Sequence, residues 1–196
     1  MKKWIVVTVV FIVLWWVFFR TESVTLGPGV FAPDDPEQQA IETPQTFTYE
    51  ELKVTPLATF HITAKLLSKT YYHWDKESNI APVDLAVGWG KMSDESVLKT
   101  IKVWQSHRFF HWSVDTFPIP RAEIESHSGN IHVIPAKNYI LSSIDDATVG
   151  SIIELSGKLV QLDGKDGLKW RSSLSRSDTG KGACELVWVE EFRVVK

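Results

Sequence analysis

The chain is poor in cysteine and has no excess of positive charge. Its 196 residues include a single cysteine, Cys184, so no disulfide can form within the chain and the fold must depend on its core. Its 21 basic residues are outnumbered by 24 acidic ones, which gives a formal net charge of −3. Nucleic-acid binding depends on a basic surface that neutralises phosphates. This composition therefore argues against a nucleic-acid partner.

Long hydrophobic runs are also scarce, and the one present stands at the start of the chain. Sixteen uncharged, mostly apolar residues, Trp4–Phe19, lie between Lys2-Lys3 and Arg20. As a helix this run measures about 24 Å, which reaches across a membrane when the flanking cations snorkel. A cleaved signal peptide is the alternative, but the small residues of a cleavage site do not follow the run. We therefore predict a transmembrane signal anchor over residues 1–20.

The charges beside this run predict its orientation. The amino terminus, Lys2 and Lys3 outweigh Arg20, so the positive-inside rule places the amino terminus in the cytoplasm. The rest of the chain would then lie outside as a single-pass protein. The membrane, contacted through residues 4–19, is the first expected partner.

Charge and composition divide the remainder into two parts. Residues 21–58 carry seven acidic groups against one basic group, whereas residues 59–196 carry seventeen of each sign. Proline and acid without a sustained apolar period are typical of an extended tether. A segment that lies along the domain is the alternative. We predict a tether over residues 21–56 and an extracytoplasmic β-rich domain over residues 57–196.

Alternating apolar residues predict strands over most of this domain. The stretches “ATFHITAKLLSKTYY”, “HRFFHWSV” and “IHVIPAKNYIL” have the strand pattern, with “SHSGN” as a turn before the last of them. From Gly150 to Val160 the glycines are spaced as in strands that bend around a small barrel.

One helix is predicted over residues 94–106. Ser93 is a suitable N-cap, and apolar residues recur at helical spacing from Val97 to Trp104. Together these patterns indicate an α+β fold, in which a mostly antiparallel sheet closes toward a small OB-like barrel with one packed helix.

Four separated motifs then occur in one order. They are “GPGVFAPDDPEQ”, “PVDLAVGWGKMSD”, “SHSGNIHVIPA” and “WRSSLSRSDTGKGACELVWV”. The set resembles a family of proteobacterial membrane-anchored envelope proteins with no established activity. That family tends to have alanine where this chain has Gly129. The resemblance implies an inner-membrane protein with a periplasmic C-terminal domain, and it supplies no reaction.

The stretch “SHSGNIHVIP” is the most polar of these motifs. His127 and His132 are five residues apart, so on a continuous strand they would face opposite sides. Zinc needs three or four ligands, and no third ligand stands nearby. A metal site would need remote ligands, for which Asp84, His111 and Glu185 are the candidates. We predict no metal and no cofactor.

We instead expect this stretch to form a structured turn that leads into a half-buried strand. Gly129 would supply the positive φ of a tight turn. His127 and Asn130 would bond to backbone groups. A polar ligand pocket is the remaining alternative.

Cys184 is predicted to be a buried thiol. It shares strand parity with Leu186 and Trp188, a face that we assign to the core. A nucleophilic thiol would need a basic neighbour, which the sequence alone does not place beside it.

Two functions follow from these observations. The first is a non-enzymatic, membrane-anchored envelope protein whose outward domain binds a partner protein or a ligand, and the alternative is an envelope hydrolase, metal-dependent or not, that uses His127, His132 and Asp84. No sequence motif meets the demands of catalysis by itself. The candidate ligand-binding residues are Asp84, Trp89, Arg108, His127, Asn130, His132, Arg176 and Asp178.

Overall fold

A computed structural model describes residues 23–165, 167–175 and 184–196. The anchor predicted over residues 1–20 lies outside this range, as do Arg176 and Asp178. Within the described ranges, no helix combines the length and the apolar character needed to cross a membrane.

The described chain is mostly sheet with a few short helices. In chain order the strands are β1 (Glu37–Ala40), β2 (Phe47–Tyr49), β3 (Leu52–Tyr71), β4 (Val83–Gly88), β5 (Ile101–Ser106), β6 (Phe109–Val114), β7 (Ser128–Pro135), β8 (Ile152–Asp163), β9 (Lys169–Arg171) and β10 (Glu185–Val194). The α-helices are α1 (Glu95–Leu98), α2 (Arg121–Ser126) and α3 (Asn138–Asp146), with 3-10 turns at Lys76–Asn79 and Gly90–Ser93.

Five strands form a ring. The long strand β3 pairs with β8 over Lys53–Lys65 and with β4 over Lys65–Tyr71, so it both opens and closes the ring. The order is β3, β4, β7, β10, β8 and back to β3. β7 and β10 run parallel, and the other four pairings are antiparallel. The α+β class is confirmed, and the sheet is mixed.

Alternation along the strands separates two hydrophobic cores. One face of each ring strand points inward, and the inner core includes Phe60, Ile62, Leu85, Val133, Leu155 and Val187. The opposite face carries a second core under β2 and β9, which includes Val54, Ile134, Leu162 and Leu186. The outward positions of β4 and β7 lie beside this second core.

Gly157 allows β8 to approach β10 closely. A Cβ at this position would lie 2.0 Å from the Trp188 carbonyl oxygen, and the β8–β10 register shifts directly after Val189. Gly157 therefore marks a close strand contact, whereas a Cβ at Gly150 would lie 2.0 Å from the carbonyl oxygen of Val24, in the segment before β1.

The helix predicted over residues 94–106 is wrong beyond its first turn. α1 ends at Leu98, and Ile101–Ser106 form β5, which pairs with β6 in a separate hairpin. The β-branched residues of this segment favour a strand once a partner strand is available. The N-cap is also one residue later than predicted, because the side chain of Asp94 accepts a hydrogen bond from Ser96 N at 2.7 Å.

Two further predictions near “SHSGNIHVIP” are wrong. Residues 138–141, the end of the strand predicted from “IHVIPAKNYIL”, belong to α3, whose Ile140 and Ile144 are four residues apart and buried. The “SHSGN” turn is absent, because α2 precedes His127 and β7 begins at Ser128. Gly129 is consequently a strand residue and not one of the glycines with positive φ.

The segment that precedes β1 lies along the domain. We call residues 24–32 the strap. Val24 N donates to Val149 O at 2.8 Å, and the amides of Phe31 and Ala32 donate to Ser93 Oγ, each at 3.1 Å. After the strap, β1 and β2 both pair with β3. The described part of the predicted tether thus follows the alternative, in which it packs against the domain.

Candidate functional site

Asp84 and His132 form the centre of a buried polar cluster. They are direct partners across β4 and β7, and their side chains alternate with inward-facing core residues, so both lie on the outer face of the ring. Asp84 is fully buried and His132 is 5% exposed. His132 Nδ1 donates to Asp84 Oδ1 at 2.8 Å. The carboxylate fixes the orientation of the imidazole.

Other donors converge on the same carboxylate. Arg108 Nη1 lies 3.4 Å from Asp84 Oδ1, and Asn130 Nδ2 lies 3.4 Å from Asp84 Oδ2. Gln105 Nε2 in turn donates to Asn130 Oδ1 at 2.6 Å. These donors satisfy the hydrogen-bonding capacity of a carboxylate that water does not reach.

Arg108 enters the cluster from the β5–β6 hairpin. His107 and Arg108 form its two-residue turn and both have positive φ, at 51° and 65°. The guanidinium donates two hydrogen bonds of 2.7 Å to Asp75 and one of 2.9 Å to Ala81 O, and it lies 4.2 Å from the centre of the Tyr72 ring.

These contacts shift the acid–base properties of the cluster. The hydrogen bonds from Arg108 lower the pKa of Asp75. Burial acts to lower the pKa of Arg108, but the Asp75 bonds and the Asp84 charge outweigh burial and raise it. Burial, followed by the Asp84 charge, raises the pKa of Tyr72 to about 12. At neutral pH, Arg108 and Asp75 therefore stay ionised and Tyr72 stays neutral.

A cavity of about 600 Å³ opens on this cluster. We call it the outer-face cavity. Asp75, Arg108, His132, Trp170 and Cys184 contribute to its wall. The ring centres of His132 and Trp170 are 5.1 Å apart. The wall is therefore formed by one face of the ring, the β5–β6 turn and β9 together.

Cys184 is not the core residue predicted from its strand parity. It is half-buried at the cavity wall, with Sγ 3.9 Å from Asn130 Nδ2 and 3.9 Å from Arg108 O. The strand parity is correct, but the shared face carries Leu186 and Trp188 into the second core and not the inner one. Cys184 itself precedes the first residue of β10. The thiol therefore borders a cavity.

Four of the eight predicted ligand-binding residues meet in this cluster: Asp84, Arg108, Asn130 and His132. Trp89 and His127 meet at a second location, where the Trp89 indole Nε1 donates to Asp35 Oδ1 at 2.9 Å and the two ring centres are 6.2 Å apart. Arg176 and Asp178 fall outside the described residues.

The proposed metal ligands do not assemble. Among the described residues, no three His, Cys, Asp or Glu side chains are grouped so that they could hold an ion. His111 stacks on Trp104 at 5.4 Å, and His127 lies with Trp89, apart from His132. The two histidines of “SHSGNIHVIP” thus belong to different environments.

The sequence did not indicate Asp75, Tyr72 or Trp170 as members of the site. Asp75 lies 33 residues before Arg108. The two meet because Arg108 lies in the turn of the β5–β6 hairpin, whose first strand was predicted as the end of a helix. Trp170 reaches His132 through the pairing of β9 with β8. No local motif carries either relationship.

Comparisons of the chain with protein-family models, with curated proteins and with solved structures find no match in any of the three.

Proposed function

We propose that the domain is an OB-like barrel and that its outer-face cavity is a ligand-binding site. Numbered along the chain, the five ring strands are β3, β4, β7, β8 and β10. The first pairs with the second and the fourth, the third runs parallel to the fifth, and α3 lies between the third and the fourth. This is the connectivity of an OB barrel.

The position of the cavity carries the proposal. OB barrels bind ligands on the face of their second and third strands, between the loop after the first strand and the loop before the fifth. Here His132 stands on the third strand, Asp75 on the loop after the first, and Trp170 on the segment before the fifth, and all three border the outer-face cavity.

The wall chemistry favours a neutral, hydroxyl-rich ligand such as a glycan. Glu77 offsets one of the two basic wall residues Lys169 and Arg171, and Arg108 is paired with Asp75, so the wall has a formal excess of only one positive charge. A polyanion such as nucleic acid would need a clear excess of positive charge. The half-buried Trp170 ring offers an apolar surface with hydrogen-bonding groups around it.

The location remains part of the proposal. We infer that residues 4–19 anchor the chain in the inner membrane and that the barrel faces the periplasm. The uncharged run after Lys2 and Lys3 supports this orientation. A partner protein in that membrane or in the periplasm is the other binding function that such an anchored domain would serve.

A hydrolytic function is the second candidate. The 2.8 Å bond between His132 and Asp84 supports it, because this pair has the geometry of an oriented general base. His127, which was also assigned to this function, lies with Trp89 and is not available to the pair.

Calorimetric titration of the full-length chain in detergent tests the binding proposal. We expect chitotetraose, a neutral oligosaccharide, to bind the wild type, and Trp170→Ala to abolish this binding. Trp104→Ala is the matched control, because Trp104 is 39% exposed on the β5–β6 hairpin and is not part of the cavity wall. Equal binding by both variants, no binding by the wild type, or salt-sensitive binding of oligothymidylate in its place would contradict the proposal.

A further inference from the structure

The outer-face cavity contains a nearly buried imidazole with one nitrogen engaged and the other toward the cavity. His132 Nδ1 is bonded to Asp84, and within the described residues its Nε2 has no hydrogen-bond partner. Because Nδ1 carries the proton that Asp84 accepts, Nε2 of the neutral ring is the nitrogen that can accept a proton. Only 5% of His132 is exposed, so this nitrogen can be reached by groups in the cavity but hardly by bulk solvent.

The chain's single thiol borders the same cavity. Asn130 and His132 are two residues apart on one face of β7, and Cys184 Sγ lies 3.9 Å from Asn130 Nδ2. The guanidinium of Arg108 belongs to the same wall. The amide donor and the cation favour a thiolate, whereas the Arg108 carbonyl oxygen, 3.9 Å from Sγ, accepts from the thiol and favours its protonated form until a base takes the proton.

We propose that Cys184 and His132 form a thiol–imidazole centre that acts on an ester-linked acyl group carried into the outer-face cavity. His132 accepts the thiol proton, and Asp84 is a positioning residue that holds the imidazole. The inference rests on the proposed function only in that a ligand enters this cavity. The inference goes beyond the proposed function because it makes the protein an esterase and not only a ligand-binding protein.

The chemistry balances with water as the only co-reactant. The thiol proton moves to His132 Nε2, and the thiolate sulfur bonds to the ester carbonyl carbon. When the carbon–oxygen bond of the ester breaks, the alcohol leaves with that proton and a thioester remains on Cys184. Water then attacks the thioester, His132 takes a proton from it and returns the proton to the sulfur, and a carboxylic acid is released.

Alkylation of the thiol tests the pairing directly. The chain has a single cysteine, so the mass added by iodoacetamide reports one site. In the full-length chain in detergent, we expect the alkylation rate to reach half its maximum about one pH unit or more below the value of about 8.5 for a free thiol. His132→Gln should move this midpoint upward by a similar amount. His73→Gln, at an exposed position outside the cavity wall, should leave the midpoint unchanged.

Two results would overturn the pairing. One is the same pH profile in the wild type and in His132→Gln, with circular dichroism showing that both are folded. The other is a wild-type midpoint at or above that of a free thiol, or labelling only in denaturant, and this result does not depend on whether any variant folds.

The acyl step has its own test. With p-nitrophenyl acetate we expect acetylated Cys184 to be detected by mass spectrometry, and this adduct should be lost in Cys184→Ser and reduced at least tenfold in His132→Gln. Absence of the adduct in the wild type would overturn the acyl chemistry. Chitotetraose binding by Cys184→Ser and its loss in Trp170→Ala report on the proposed function separately, so either idea can fail while the other stands.

Discussion

Lys65 and Glu95 form an ion pair beneath the strap, with Nζ 3.0 Å from Oε1 and the lysine side chain 4% exposed. The same carboxylate accepts hydrogen bonds from the amides of Leu26 at 2.6 Å and Gly27 at 2.9 Å. Burial acts to raise the pKa of Glu95, but these amides and the Lys65 ammonium outweigh it, and the pKa is lowered. A neighbouring bond from Gly29 N lowers the pKa of Asp94.

We therefore predict that acid releases the strap. Both carboxyl groups have a lower pKa in the folded than in the unfolded protein, so they stabilise the docked strap at neutral pH. This stabilisation is lost as the pH falls below about 4, through the lowered folded values. Hydrogen exchange, corrected for the intrinsic pH dependence, should show reduced protection of Leu26 and Gly27 at pH 3. Glu95→Gln should reduce the protection of these two amides at pH 7, whereas Glu42→Gln, at an exposed position, should leave their protection unchanged. Unchanged protection in acid would contradict this account.

The second prediction concerns the buried carboxylate of the cluster. Asp84→Asn removes the charge that His132 and Arg108 share, and should lower the free energy of unfolding by about 2–4 kcal/mol. Asp115→Asn, at an exposed position, should change it by less than about 0.5 kcal/mol. Chemical denaturation of the two variants checks both values. Equal stability would show that the cluster is not stabilised by this charge.

The third prediction compares two glycines. Gly157→Ala places a Cβ 2.0 Å from the Trp188 carbonyl oxygen, so β8 and β10 must separate, at a cost of about 3 kcal/mol. Gly167→Ala meets no atom within 4 Å, and only its φ of 88° opposes the change, at about 1 kcal/mol. Thermal unfolding should rank the variants in this order, and the reverse order would argue against the close strand contact.

The fourth prediction is a stabilising change in a turn. Glu50 and Glu51 join β2 to β3 with φ of 47° and 63°, a conformation that Asn-Gly adopts more readily. The double change Glu50→Asn, Glu51→Gly should raise the free energy of unfolding by about 1 kcal/mol. The same change at exposed Asp145 and Asp146, in the last turn of α3, should lower it. A destabilised turn variant would show that these glutamates have another structural role.

The ring strands β3, β7, β8 and β10 were predictable because their apolar residues alternate and the inner core imposes that period. β4 was not predicted, because all six of its residues are buried and no polar–apolar alternation marks it. The hairpin β5–β6 was not, since Val97 to Trp104 also satisfies a helical period and only pairing with β6 decides between the two. The helix α3 was missed because its first residues were predicted as the end of a strand. Ile140 and Ile144 follow a strand so closely that the pattern was extended across Pro135.

The site was half predictable for a similar physical reason. His132 could be selected as a polar residue within a predicted apolar strand, where burial demands a partner. Asp84 and Asn130 were selected as polar residues outside the predicted strands, although both are buried on strands, β4 and β7. Their partners could not be predicted, because the strand register decides which side chains meet. Asp84 faces His132 only in the observed pairing of β4 with β7. The position of Cys184 was wrong for the same reason. Strand parity predicts which residues share its face, but it does not predict which of the two cores that face adjoins.

The last prediction concerns His127, which lies outside the buried polar cluster. His127 ends α2, where Nδ1 lies 3.0 Å from Glu123 O and its ring lies so close to Gly90 that a Cβ there would be 2.7 Å from it. His127→Ala should therefore lower the free energy of unfolding by about 1–2 kcal/mol through lost packing and hydrogen bonding, without changing metal content. Exposed His73→Ala is the control for stability. Stoichiometric zinc in the purified chain, lost in both His127→Ala and His132→Ala while circular dichroism stays native, would require the two histidines to act together on a metal, against the separate environments in which they lie.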